Sequence, residues 1–129
     1  MQWLDRSLVM GPRLCLCLTE KAFHKAMADC GIPTEDHGSF INPGAGATTH
    51  VNRQGDGQYA CVVTMDDWQG RNPIEVAGLL IHEAVHVYQT ARDDIMDERR
   101  PGSEFEAYSI QWISQQLMWS FVEQTKGNA

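Results

Sequence analysis

Residues 72–91 constrain this chain more than any other stretch. Asn72-Pro73-Ile74-Glu75 is a helix-start signal: a side chain that can cap, a proline where no backbone N–H is needed, and an acid placed to reach back to the cap. Beyond it Ala77, Leu80, Ala84, Val87, Tyr88 and Ala91 recur at helical spacing on one face, so a helix from 73 to about 91 is predicted. His82 and His86 fall on the opposite side, flanked by Leu79 and Val76. A helix of that pattern is expected to be buried nearly all round, and a polar cluster inside it needs a partner.

The elements around this helix are read from the same local signals. Leu and Cys alternate after Pro12, which predicts a strand over 14–19 with one face better buried than the other. Thr19 can cap a helix reaching about Cys30, where Phe23, Met27 and Cys30 share a face and Gly31 with Pro33 ends the pattern. The Gly-, Pro- and Asn-rich segment 33–46 is expected to be an ordered loop over one edge, carrying part of a cleft. Two β-prone runs, 47–53 and 58–65, are joined by Gln54-Gly55-Asp56-Gly57 and predict a hairpin. The last element, a helix over 103–123, is opened by Pro101 and a second capping box, Ser103 with Glu106. The fold class expected is α+β: a small sheet of strand plus hairpin packed on the first long helix and closed by the second, in a single domain spanning 1–129.

Charge narrows the function. Ten Lys and Arg against 17 Asp and Glu leave a formal charge of −7, which argues against nucleic acid or an anionic membrane as partner, because both select basic surfaces. The opening residues, with Trp3, Asp5 and Arg6 among them, show no export signal and no apolar run of spanning length, so a cytoplasmic location is expected. Without a CxxC pair, Cys15, Cys17, Cys30 and Cys61 read as buried thiols.

His82-Glu83-Ala84-Val85-His86 is where the chemistry concentrates. At about 100° per residue the two histidines lie about 40° apart and one turn along, so both imidazoles reach one ion at the ~2.0–2.1 Å that zinc prefers. Glu83 stands beside them, placed to deprotonate a water without becoming a ligand. Chance alone yields this pattern in about one shuffled chain in a hundred, so zinc is the cofactor expected. A third protein ligand is sought on the last helix, where Glu104 and Glu106 lie about 160° apart and only one can face the ion. Glu104 shares a polar line with Tyr108, Gln111 and Gln115 and is the choice; Glu106, the capping-box acid, is held in reserve.

HExxH followed by a downstream glutamate on a second helix resembles the gluzincin class of zinc metallopeptidases, in which two histidines and that glutamate bind zinc while the motif glutamate acts as base. Glu104-Phe105-Glu106-Ala107 resembles the E-[FY]-x-A stretch that carries the third ligand in several members, with Tyr108 where Asp or Asn is usual. The stretches 80–89 and 104–111 together are also similar to small uncharacterised phage- and prophage-encoded proteins described as metallopeptidases. The resemblance implies hydrolysis of a peptide bond, with a peptide or protein substrate and Glu83 as base. The competing expectation is a non-catalytic zinc-stabilised module of phage assembly or host interaction.

Stabilising a developing oxyanion needs a donor, and Tyr108 or His50 is expected to supply it. His24 and His37 read as surface or loop residues. Phe105, Trp112 and Trp119, seven apart, read as a core stripe on the last helix. A second stripe, Ile110, Ile113, Leu117 and Phe121, makes that helix apolar over much of its girth, so a homo-oligomer is a secondary expectation.

Overall fold

A computed structural model describes residues 1–4, 12–53, 59–95 and 103–127, and of 94, 95 and 103–105 the backbone alone. In chain order the elements are β1 (Trp3–Leu4), β2 (Arg13–Cys17), α1 (Glu20–Asp29), β3 (Ala47–Arg53), β4 (Tyr59–Met65), α2 (Pro73–Ile95) and α3 (Ser103–Thr125), with short 3-10 turns at Thr34–Asp36 and Trp68–Gly70. The four strands form one sheet in the order β1-β2-β4-β3. The hairpin forms, Ala47 opposite Met65 through Arg53 opposite Tyr59, while its turn lies outside the described residues. β2 lies parallel to β4, Arg13 opposite Ala60 through Cys17 opposite Thr64, and α1 lies within the long crossover that a parallel pair requires. The α+β class is as expected.

The caps of α1 and α2 form as read, while Pro101 and the Ser103 side chain of the third lie outside the described residues. Thr19 Oγ1 accepts from the Ala22 N–H at 3.1 Å, and Asn72 Oδ1 accepts from the Glu75 N–H at 2.8 Å while its amide donates to Glu75 Oε1 at 3.2 Å. β1 is an addition to the expected sheet. It is two residues long, pairs antiparallel with β2, and is tied down by the Trp3 indole N–H on Asp29 Oδ2 (3.0 Å) and the Arg13 guanidinium over the indole ring.

Both faces of the sheet are covered, which corrects the half-buried reading of the first strand. Leu14 and Leu16 pack with Cys61, Val63 and Met65 against Leu80, Ala84, Val87 and Tyr88 of α2 and Ile113 and Leu117 of α3. Cys15 and Cys17 point the other way and pack with Ala60 and Val62 against Phe23, Ala26 and Met27 of α1. All four cysteines are buried thiols. The loop after α1 folds back over Phe23, and His37 lies in it as expected but buried rather than at the surface. Its Nε2–H donates to the Ile32 carbonyl at 2.9 Å, and its Nδ1 accepts from His24 Nδ1–H at 2.6 Å.

α3 also departs from its reading. Ile113 and Leu117 carry the buried stripe, with Ile110 and Phe121 partly buried beside them, whereas Trp112 and Trp119 stand 44% and 47% exposed. A helix lying on a two-element surface buries one side, and the side facing α2 and β2 is the isoleucine and leucine one.

Candidate metal centre

α2 runs beside β3, the last strand of the sheet, and the site lies between them. His82 and His86 project from successive turns with their Nε2 atoms 3.2 Å apart. Two ligands on one tetrahedral ion, each ~2.0–2.1 Å from it, stand about 3.3 Å apart, so the pair is spaced for a shared zinc ion. His86 Nδ1–H donates to Gln89 Oε1 at 3.3 Å, which leaves the Nε2 lone pair directed at the shared position. The imidazoles are open to solvent, His82 with 67% of its side chain exposed, and this corrects the expectation of a helix buried nearly all round.

Glu83 is the buried member, 3% exposed. Its place on the wheel, beside the apolar face of α2, turns it toward the sheet, where Thr49 Oγ1 on β3 donates to Glu83 Oε1 at 2.9 Å. Its other oxygen, Oε2, lies 3.9 Å from His82 Nε2. The carboxylate is thus held by one oxygen and directs the second toward the histidine pair. Thr49 is the residue sequence reading missed: a threonine on a β-prone run carries no signal of its own, and its partner lies 34 positions away.

A groove passes over this cluster. One part, about 470 Å³, reaches from Asn42 and Thr49 past both histidines to Gln89 and Asp93; the other, of like volume, passes Gly46 and Leu79 to Arg71 and Glu75. Both include Ala45, Ala47, His82 and Glu83, so the histidine–glutamate cluster sits where they meet. The loop 33–46 lines the cleft as expected, through Asn42, Ala45 and Gly46. Gly46 has a steric reason: a Cβ there would stand 2.8 Å from Arg71 Nη2, so glycine lets the guanidinium lie against the loop.

His50 and Tyr108 are not brought to the cluster. His50 is on β3, next to Thr49 and therefore facing the opposite side of the sheet, where its ring packs 4.7 Å from that of Phe23. Its Nε2–H is engaged by the Phe40 carbonyl at 3.1 Å, which also accepts from Thr64 Oγ1, so it is not free to act as oxyanion donor. Desolvation pushes the His50 pKa down, partly offset by that carbonyl and by Glu83. Tyr108 is 65% exposed on α3 and lines neither part of the groove. Glu104 stands in the first turn of α3, its side chain outside the described residues. Glu106 is exposed on α3, and among the described residues no group of three His, Cys, Asp or Glu side chains is set to hold an ion. No described helix is long and apolar enough to cross a membrane. The chain matches no family model, no curated protein and no solved structure.

Proposed function

We infer that this protein is a zinc-dependent hydrolase of the metallopeptidase type, cutting a peptide bond in a substrate laid along the groove. The observation that carries the reading is the 3.2 Å separation of the His82 and His86 Nε2 atoms beside a buried, singly tethered Glu83 carboxylate. His82 and His86 would hold the ion, with Glu104 as the third ligand, its place on the helix next to α2 and the gluzincin-like pattern being the grounds. When bound, zinc supplies Lewis-acid polarisation of a carbonyl and acidifies a water.

The chain's own groups supply the rest. Glu83 Oε2 takes a proton in front of the histidine pair and returns it to the leaving amine, while Thr49 keeps the other oxygen in place. Gln89 fixes the His86 ring through Nδ1. β3, with no strand beyond it among the described residues, offers backbone N–H and C=O groups along the groove, which suits an extended peptide.

Elemental analysis of the purified chain and digestion of a broad peptide library, read by mass spectrometry, test the reading. One zinc per chain is expected, lost in His82→Ala and His86→Ala. Glu83→Gln, whose amide oxygen can still accept from Thr49, should keep zinc and fold and lose hydrolysis by at least ~100-fold. Glu104→Ala should lose zinc and Glu106→Ala retain it. Zinc bound without turnover in the unmutated chain would make the site a structural one, and absence of metal binding would end the proposal.

A further inference from the structure

The exposed side of α3 carries a pattern the metal centre does not use. Tyr108, Trp112, Gln115, Trp119, Val122 and Lys126 follow one another at intervals of four and three, the seam spacing of a coiled coil. Tyr108, Trp112, Trp119 and Val122 are 65%, 44%, 47% and 55% exposed, so the seam faces outward along most of the helix. The opposite side, Ile113 and Leu117, is already buried in the core. From Ala107 through Val122 there is not one charged residue, in a chain with 27 Asp, Glu, Lys and Arg (17 + 10). A solvent-facing helix is ordinarily laced with charge, whereas aromatic enrichment with charge depletion marks the centre of an interface.

We propose that this seam is the contact surface of a homodimer, two copies of the chain packing α3 against α3 about a two-fold axis. A 3.5-residue repeat is matched by another helix of the same repeat, and the chain supplies one. The seam offers no charge over Ala107–Val122 for a basic or acidic partner to read, so its complement is a second uncharged aromatic seam. Size agrees. At ~150–250 Å² per aromatic side chain, the exposed fractions leave about 400 Å² of apolar seam per copy. Two copies cover about 800 Å², and Gln115 within the seam, with a rim of Gln111 and Lys126, takes the total past the ~1,000 Å² of a specific interface. Gln115 is the one polar position at the centre of the seam, where a buried amide lowers affinity while fixing register.

Sedimentation velocity of the full chain from ~1 to ~500 μM tests the proposal independently of zinc and hydrolysis. A concentration-dependent monomer–dimer equilibrium is expected. Trp119→Glu should weaken it at least ~30-fold, with far-UV circular dichroism and thermal midpoint reporting that the monomer stays folded. Gln115→Leu, which completes the apolar seam, should strengthen it about tenfold, a gain that misfolding does not imitate. A monomer throughout the range, or a Gln115→Leu chain no more associated than the original, overturns the proposal. So does a monomer that instead binds phosphatidylcholine vesicles through the same tryptophans.

Discussion

Glu83 shows how much one hydrogen bond decides at the residue scale. A carboxylate 3% exposed needs a donor, and Thr49 Oγ1 is its donor from the sheet. Thr49→Val keeps the shape and removes the hydroxyl; a loss of about 1.5–3 kcal/mol in unfolding free energy is expected, measured by denaturant titration, since the bond is to a charged group. Thr49→Ser should recover most of it. If hydrolysis is found, Thr49→Val should lower kcat more than it raises KM, with zinc content unchanged. His50 gives a pH prediction. Its folded pKa lies below the unfolded value of 6.5, chiefly through desolvation, so the unfolded chain takes up the proton first as pH falls. The stability it contributes is complete above about 6.5 and is lost as pH drops below that toward the folded pKa. His50→Gln keeps a donor for the Phe40 carbonyl and does not titrate. The decline in thermal midpoint between pH 7 and 5 should therefore be shallower in that variant than in the original chain.

At the scale of elements, the caps and the two sides of α3 separate cleanly. Asn72 satisfies the Glu75 N–H at the start of α2, and Asn72→Ala should cost about 1 kcal/mol in a denaturant melt, with α2 otherwise intact. Leu117 and Trp119 are two positions apart on α3 and lie on different sides of it. Leu117, fully buried against α2 and the sheet, should cost about 2–5 kcal/mol on substitution by alanine. Trp119→Ala should cost well under half as much, when both are melted at concentrations where the chain is monomeric, because about half of the indole is already in water. A larger loss for Trp119 than for Leu117 would mean that the tryptophan stripe, not the leucine one, faces the core.

The molecule as a whole is a sheet covered by α1 on one face and by α2 and α3 on the other, and this layering explains its cysteine chemistry. Cys15 and Cys17 are adjacent on the α1 face with sulfurs 3.9 Å apart; the neighbouring thiol and burial push the Cys15 pKa far up. None of the four thiols should react with a water-soluble disulfide reagent in the native state at neutral pH, and all four should react in denaturant. The reaction rate of Cys15, Cys17 and Cys30 in dilute denaturant then reports opening of the α1 layer, and that of Cys61 opening of the face under α2 and α3. The proposed zinc site gives a second global test: a metal bound only by the folded chain would raise the unfolding midpoint with its concentration, and chelation should reverse the rise.

Local chemistry was legible in the residues themselves. The start of α2 at Asn72-Pro73 and of α1 at Thr19, the β3–β4 hairpin and the 40° offset of His82 and His86 all depend on groups a few positions apart, or on strands joined by a short turn. The same proximity is why the short pattern His82-Glu83-Ala84-Val85-His86 could be read as two donors and a base. Longer-range outcomes were decided by packing. Which of two apolar stripes on α3 turned inward, whether the Cys15 and Cys17 face was covered, and that β1 would join β2 each depended on how separate elements dock in three dimensions. His50 and Thr49 make the point most sharply. They are neighbours in the chain, yet the pleat of β3 sends one to Phe23 beneath α1 and the other to Glu83 on α2, because covering both faces of the sheet gives adjacent strand residues different surroundings.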